Sequence, residues 1–207
     1  FQQVPGPTGV RSAHMGPGYA ILLKNDGTIM ASGYNANGQL GLGDFAARAA
    51  FADVPGVTEV VSVACAADAS CIVKKDGSVW YAGATRQVGA GGTANNPAFT
   101  RLTALTNIVA VAASGASVLY LKGDGTVWGA GENGLGQLAS GDITPRQFNI
   151  AKAFAPANPV AVSAGGAAAA VLKADGTLWT SGGPNPVPYQ NTDRFVRYMP
   201  AAGVIAQ

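Results

Sequence analysis

One motif recurs four times along the chain and constrains its fold more than any other feature. In each copy an apolar residue and a lysine are followed by one variable residue, an Asp-Gly pair, a Ser or Thr, and two more apolar residues. The four pairs are Asp26-Gly27, Asp76-Gly77, Asp124-Gly125 and Asp175-Gly176, and their spacings are 50, 48 and 51 residues. A regular period of this length indicates an array of similar structural units rather than unrelated domains.

The residues around each motif favour strands joined by tight turns. Short runs such as Val60 to Ala64 and Ile108 to Ala112 alternate larger and smaller side chains before the motif. The x-Asp-Gly segment suits a three-residue hairpin, in which glycine takes a left-handed conformation without steric cost and Asp bonds the turn backbone. A β-branched residue at Gly125 is therefore expected to destabilise the hairpin by about 1–2 kcal/mol. The pattern predicts an all-β fold, with each unit forming one blade of a β-propeller.

The units also carry the motif of a known family. The hydrophobic-Lys-x-Asp-Gly-Thr-Val-Trp pattern, continued by Asn-x-x-Gly-Gln-Leu, resembles the regulator of chromosome condensation repeat, in its bacterial or phage form. The best copies are Leu23 to Asp44, with Asn35, and Leu121 to Asp142, with Asn133. The resemblance implies a β-propeller whose four visible blades belong to a larger ring, which has seven blades in most proteins of this kind.

The copies depart from the family pattern at several places. Arg86-Gln87-Val88-Gly89 replaces the Gly-Gln-Leu-Gly segment in the second unit, and the fourth unit has Pro184 to Pro188 instead. The histidine that commonly begins the family's second strand is replaced in every unit, by Tyr19, Ala69, Ser117 and Ala168. These changes argue against any function that depends on those histidines.

A second set of matching segments, each beginning with a phenylalanine, predicts where the units begin within a single repeat domain, 1–207. Phe1 to Gly6 matches Phe51 to Gly56, and Phe99, Phe148 and Phe195 hold the same place later. The units are then about 1–50, 51–98, 99–147 and 148–194, and residues 195–207 are expected to begin a fifth. Its first strand would lack partners, so we expect other chains, or the rest of a longer polypeptide, to complete the ring.

Composition argues against several classes of function. Charged residues are only 12 % of the chain and the net charge is +2, which argues against nucleic acid as a partner. One histidine, His14, and two cysteines cannot supply a four-ligand zinc site or an evident catalytic set. We therefore expect no catalytic residues, no metal and no cofactor. No apolar run is long enough to span a membrane.

Several repeated residues are expected to be structural. The tryptophans at one repeat position, Trp80, Trp128 and Trp179, are expected to pack between blades. The aligned lysines and aspartates are expected to form ion pairs or turn bonds, and Asn35 and Asn133 to hold their loops. Cys65 and Cys71 lie symmetrically about residue 68 in a predicted hairpin. They either form a disulfide, which would indicate an oxidising compartment, or are two buried free thiols.

Recognition is expected in the loops that differ between units. The candidate partner-binding residues are Tyr34, Asn37, Arg86, Glu132, Leu135, Arg146, Pro186 and Tyr189. We expect a non-catalytic binding or structural module within a longer bacterial surface protein or phage appendage, which is extracellular or on the virion surface and recognises a protein or cell-surface receptor. The alternatives are guanine-nucleotide exchange on a small GTPase, as in the family's founding member, and protein inhibition of an enzyme.

Overall fold

Four antiparallel sheets follow one another along the chain in a computed structural model, which describes residues 6–153, 155–183 and 192–198. Each sheet has four strands in simple up-and-down order, and we call the sheets blades one to four. Blade one contains β1 (Val10–Gly16), β2 (Tyr19–Lys24), β3 (Ile29–Gly33) and β4 (Arg48–Asp53). Blade two contains β5 (Val60–Cys65), β6 (Ala69–Lys74), β7 (Val79–Ala84) and β8 (Asn95–Arg101), with the short helix α1 (Thr85–Val88) between β7 and β8. Blade three contains β9 (Ile108–Ser114), β10 (Ser117–Lys122), β11 (Val127–Gly131) and β12 (Arg146–Lys152). Blade four contains β13 (Pro159–Gly165), β14 (Ala168–Lys173), β15 (Leu178–Gly182) and β16 (Thr192–Arg197).

The Asp-Gly motif forms the hairpin between the second and third strand of every blade. Gly27, Gly77, Gly125 and Gly176 all have φ between +76° and +79°, the left-handed region that glycine enters without strain. The Oδ1 atom of Asp26 accepts the backbone N–H of Thr28 at 2.9 Å and its hydroxyl at 2.6 Å. The other three aspartates make the same two bonds. The turn predicted from the motif is therefore confirmed.

Three apolar cores hold the four blades side by side. Ile21, Leu23 and Ile29 of blade one pack with Val63 and Ile72 of blade two. Equivalent cores join blades two and three and blades three and four. Trp80, Trp128 and Trp179 each pack at the border of one core, against the preceding blade, so these tryptophans are packing residues, as predicted.

The lysines of the repeat face the hairpin aspartates or the tryptophans. Lys24, Lys122 and Lys173 lie 3.7, 3.4 and 2.8 Å from the carboxylates of Asp26, Asp124 and Asp175. Lys74 instead lies 4.6 Å above the Trp80 ring, which is close enough for a cation–π interaction.

The inner strands of the four blades, β1, β5, β9 and β13, line a common concave space of about 510 Å³. Adjacent inner strands contact one another from β1 to β5, from β5 to β9 and from β9 to β13. This arrangement of radial four-stranded sheets around a shared axis is a partial β-propeller. The predicted all-β propeller fold is confirmed.

The blades are out of phase with the units read from the sequence. Phe51, Phe99 and Phe195 lie in β4, β8 and β16, the outermost strands of their blades. Phe195 to Arg197 therefore belong to a paired strand, with Arg197 opposite Trp179 and Val196 opposite Thr180. A repeat in sequence defines a period, but strand pairing defines where a sheet starts. The expectation that residues 195–207 begin a fifth unit whose first strand lacks partners stays a prediction, because the residues equivalent to Val60 to Ala64 come after residue 203. Residues 199–207 lie outside the described residues.

The two cysteines are free thiols on opposite faces of one sheet. Cys65 pairs with Ser70, and Cys71 pairs with Ala64. Cys65 packs in the core shared with blade one, whereas Cys71 packs in the core shared with blade three. The hairpin register is shifted by one residue from the predicted symmetry, and such a shift reverses the face. Of the two alternatives, the structure has the buried thiols and not the disulfide.

Candidate protein-interaction face

One end of the propeller carries the long connections between the third and fourth strands. Because strands alternate in direction, these connections share an end with the turns between the first and second strands. We call this end the loop face; it includes residues 34–47, 85–94 and 132–145 and the turns that follow β1, β5, β9 and β13. Neighbouring blades are bonded there, since the Ser70 hydroxyl donates to the Gln39 carbonyl at 2.6 Å.

Buried asparagines hold the loops of blades one and three. The Asn35 amide donates to the carbonyls of Asp44 (2.9 Å) and Ala46 (3.1 Å), and its Oδ1 accepts the Leu40 N–H (2.9 Å). Asn133 makes the matching bonds to Asp142, Thr144 and Leu138 in blade three. Both asparagines are fully buried. The predicted role of these residues in fixing the loop backbone is confirmed.

An ion pair closes each of these two loops. Arg48 Nη2 lies 2.6 Å from Asp44 Oδ2, and Arg146 Nη2 lies 2.5 Å from Asp142 Oδ2. The Arg48 hydrogen bond is the main factor that lowers the pKa of Asp44, and the Thr144 backbone N–H is the main factor that lowers the pKa of Asp142. Arg146 therefore has a counterpart in Arg48 and braces its loop. Blades two and four have Asn96 and Thr192 at this pairing position, so the place of Arg146 among the partner-binding residues stays a prediction.

Blade two has a different connection, built around α1 and Asp68. The Gln87 side chain, which is 3 % exposed, accepts the Asp68 N–H at 3.0 Å and donates to the Asp68 carboxylate at 3.1 Å. Asn37 from blade one also donates to this carboxylate, at 3.0 Å, and Arg86 lies 4.0 Å from it. Asp68 thus ties the loops of two blades together.

The predicted partner-binding residues other than Arg146 fall into three groups. Tyr34, Arg86 and Leu135 are exposed on the loop face. Asn37 and Glu132 lie on it but are engaged, Asn37 with Asp68 and Asn95, and Glu132 with the Gln147 amide at 2.9 Å. Pro186 and Tyr189 lie outside the described residues.

Three exposed apolar residues on this face were not among the residues predicted from the sequence. Phe45 is 51 % exposed and Ile143 is 60 % exposed. They occupy the same loop position, directly after Asp44 and Asp142. Met15, at the end of β1, is 74 % exposed. Aligning the first and third units would have revealed the Phe45 and Ile143 pair, since both units have a large apolar residue directly after the loop aspartate.

The one histidine of the chain, His14, lies in β1. His14 Nε2 lies 2.9 Å from the Ser12 hydroxyl, and burial lowers the pKa of His14. Within residues 6–153, 155–183 and 192–198, no three His, Cys, Asp or Glu side chains are grouped to hold a metal ion. None of the helices in that part of the chain is long and apolar enough to cross a membrane.

The fold matches solved propeller structures although the sequence is distant. No protein-family profile and no curated protein sequence matches the chain. Human WBSCR16 superimposes with a TM-score of 0.77 at 22 % identity, over 92 % of this chain and 52 % of that one. Yeast RCC1 (Prp20) in its complex with Kap60 gives a TM-score of 0.77 at 19 % identity, over 97 % and 51 %. Prp20p from Saccharomyces cerevisiae, solved in a study of its binding to Gsp1p and histones, gives a TM-score of 0.75 at 18 % identity, over 97 % and 53 %.

These neighbours identify the fold as the RCC1-type β-propeller, in agreement with the repeat resemblance. The chain spans about half the length of each of them.

Proposed function

We propose that the chain is a non-catalytic protein-binding module and that the loop face of blades one and three contacts the partner. The observation that carries the proposal is a set of five large apolar side chains exposed at this one end: Met15, Tyr34, Phe45, Leu135 and Ile143. Methionine and aromatic residues are enriched at protein interfaces, and grouped exposed apolar side chains mark interaction sites.

Hydrogen bonds and ion pairs hold the loops that carry Phe45 and Ile143. Phe45 and Ile143 each follow an aspartate that is bonded to a buried asparagine and paired with an arginine. Rigid side-chain placement reduces the conformational entropy lost on binding, so such a loop presents a contact residue efficiently. The asparagine, the aspartate and the arginine that hold each loop occupy the same repeat positions in blades one and three.

The structural neighbours are consistent with protein binding as the general role. The yeast neighbours are described in complex with Kap60 and as binding Gsp1p and histones. For this chain we propose a protein or cell-surface receptor as the partner, with other chains or the rest of a longer polypeptide completing the ring. We further propose display on a bacterial surface or a phage virion, supported by the low proportion of charged residues. Immunogold labelling of intact cells and virions tests that location.

The proposal is tested by comparing matched substitutions at the two ends of the propeller. Ile143→Ser and Phe45→Ser remove apolar side chains from the loop face. Val109→Ser removes one that is 51 % exposed beside the Asp-Gly hairpins at the opposite end. Immobilised variants are compared for capture of proteins from host-surface extracts by quantitative mass spectrometry. We expect the loop-face variants to lose at least about tenfold in capture of the same protein, equivalent to about 1.4 kcal/mol, while Val109→Ser binds like the parent.

Equal capture by all variants would contradict the loop-face assignment. A nucleotide-release assay with a small nuclear GTPase tests the exchange-factor alternative. Acceleration of nucleotide release by this chain would contradict the non-catalytic role.

A further inference from the structure

We infer that the junction between blades three and four binds an extended, apolar segment of a partner protein. The junction has a pocket of about 440 Å³ among the Asp-Gly hairpins. These hairpins lie at the end of the propeller opposite the loop face, and we call that end the hairpin face. The inference goes beyond the proposed loop-face function and does not depend on it.

Main-chain hydrogen bonds tie neighbouring blades together on the hairpin face. Between blades one and two, the Val60 N–H donates to the Gly27 carbonyl at 3.0 Å. Between blades two and three, the Ile108 N–H donates to the Gly77 carbonyl at 3.0 Å. Pro159 holds the place of Val60 and Ile108 in blade four, since each of the three pairs with the lysine of its repeat. Proline has no N–H, so this bond cannot form between blades three and four.

The missing bond leaves a carbonyl group without a donor beside a widened pocket. The carbonyl is that of Gly125, which accepts no hydrogen bond from the residues that the structure describes. Gly125 and Pro159 line the pocket of about 440 Å³, whereas the equivalent pocket between blades two and three is about 280 Å³. Lys75 lines the smaller pocket, and blade three has Gly123 at that motif position. The junction between blades three and four is therefore wider and lacks one main-chain donor.

Two exposed valines line the same pocket. Val109 of blade three is 51 % exposed, and Val160 of blade four is 54 % exposed. Each is the extra residue of a β-bulge near the start of its inner strand. A bulge leaves its extra residue out of the strand pairing and redirects the side chain. The two bulges therefore present branched aliphatic side chains to solvent at this junction.

A lysine supplies hydrogen-bond donors at this pocket. Lys122 lines it, and its Nζ lies 3.4 Å from the Asp124 carboxylate and 5.9 Å from the centre of the Trp128 ring. Lys173 in blade four lies closer to its aspartate, at 2.8 Å, and Lys74 in blade two lies closer to its tryptophan, at 4.6 Å. An ammonium group has three donors, so Lys122 can donate to a ligand while it faces Asp124.

These groups match the main chain of an extended peptide. The bond that Pro159 removes joins a main-chain N–H to a main-chain carbonyl, so a main-chain N–H of a partner is the donor that replaces it. A neighbouring carbonyl of the partner can accept from Lys122, and an apolar side chain between these two groups can pack against Val109 and Val160. Binding through main-chain bonds and side-chain pockets is a recurrent mode of peptide recognition.

The pocket is tested with N-acetyl-leucine N-methylamide, which has an apolar side chain between two amide groups. The probe is titrated into the ¹⁵N-labelled chain and followed by NMR, with a millimolar dissociation constant expected for so small a ligand. We expect shifts at the amides of Val109, Gly125 and Val160. No shift at these amides with about 20 mM probe, well above that dissociation constant, would overturn the inference.

Matched variants test the open carbonyl and the apolar wall. Pro159→Val gives blade four the N–H that Val60 provides in blade two, so the new amide should be protected from hydrogen exchange. The affinity for the probe should then fall at least about fivefold. Val160→Ser removes apolar surface and should weaken binding by about the same factor. Val61→Ser, the same change at the equivalent bulge of blade two, and Ile143→Ser on the loop face should leave binding unchanged.

Two further results would contradict the inference. The first is equal affinity of the probe for the parent and for either Pro159→Val or Val160→Ser, because the carbonyl or the apolar wall would then have no part in binding. The second is a set of shifts centred on Val61 and Ile108, because the probe would then bind at a junction whose carbonyl is already bonded. Neither result affects the loop-face proposal, which depends on different residues.

Discussion

Replacing Gly131 with alanine should lower the free energy of unfolding for two reasons. The first is backbone strain at a positive φ, and the second is a steric clash with a neighbouring carbonyl oxygen. Gly131 has a φ of +97° at the end of β11. A Cβ atom there would lie well inside contact distance of the Ala116 carbonyl oxygen, and 3.0 Å from the Gln87 carbonyl oxygen. The Ala116 carbonyl also accepts the Glu132 N–H at 3.0 Å. The alanine methyl group therefore has to displace the turn that holds the start of the Glu132 loop.

The magnitude follows from adding the backbone strain to the lost hydrogen bond. A non-glycine residue in a sparsely populated backbone region costs about 1–3 kcal/mol, and displacing the Ala116 carbonyl loses about 1 kcal/mol of hydrogen bonding. We expect Gly131→Ala to lower the free energy of unfolding by about 3 kcal/mol. Gly176→Ala is the matched control, since Gly176 has a φ of +79° but no atom within 4 Å of the added methyl group. Its expected loss is about 1 kcal/mol.

Urea unfolding followed by tryptophan fluorescence measures both losses. With an m-value of about 2.5 kcal/mol/M, the midpoint should fall by about 1 M for Gly131→Ala and about 0.4 M for Gly176→Ala. Equal midpoint shifts would mean that the backbone conformation alone accounts for the glycine and that the contact with Ala116 has no effect. The reasoning extends to Gly33, Gly83 and Gly182, each of which abuts a carbonyl oxygen in the same way.

Further substitutions probe the loops, the turns and the thiols. Glu59 has a φ of +60° at the position that Asn107 and Asn158 occupy in later units. Because asparagine tolerates a positive φ better than glutamate, Glu59→Asn should raise the free energy of unfolding by about 0.5–1 kcal/mol in thermal unfolding. A lower melting temperature would contradict this. The pKa of Asp142 lies below its unfolded value in the folded chain, so the stability it contributes is present above about pH 4 and is lost as the pH falls further. Asp142→Asn should therefore show a smaller drop in urea midpoint between about pH 7 and pH 3 than the parent, and an identical drop would refute the role of that carboxylate. Burial raises the pKa of Cys65 and of Cys71 to about 12, so Ellman's reagent should modify neither thiol in the native chain and both after denaturation without reductant. Failure of either to react after denaturation would indicate a disulfide.

The repeat motif allowed the local structure to be predicted because each of its parts follows a short-range rule. The Asp-Gly hairpin needs only a left-handed glycine and an aspartate within two residues of the bonded Ser or Thr. The Asn35 and Asn133 loops are similarly local, since every bond lies within 11 residues of the asparagine. The recurrence of tryptophan at one position predicted packing between blades, because identical units pack in identical ways.

The candidate site was predicted only in part. The sequence placed Tyr34, Arg86 and Leu135 in loops, and all three are exposed at one end. The sequence did not distinguish these three residues from Arg146, which forms an ion pair with a loop aspartate as Arg48 does. Exposure of Phe45 and Ile143 was missed because a large apolar residue in a loop is as compatible with a buried position as with an exposed one until the loop is folded.

The sequence by itself determined the period, the hairpins and the all-β propeller architecture, because these depend on residue order over tens of residues. The tertiary structure decided the phase of the blades, the faces of Cys65 and Cys71, and the exposure of Leu172 and Leu178. Each of these depends on which strands pair and which sheets stack. A shift of one residue in pairing turns a side chain to the other face, and a leucine is buried in a core only where another sheet covers it.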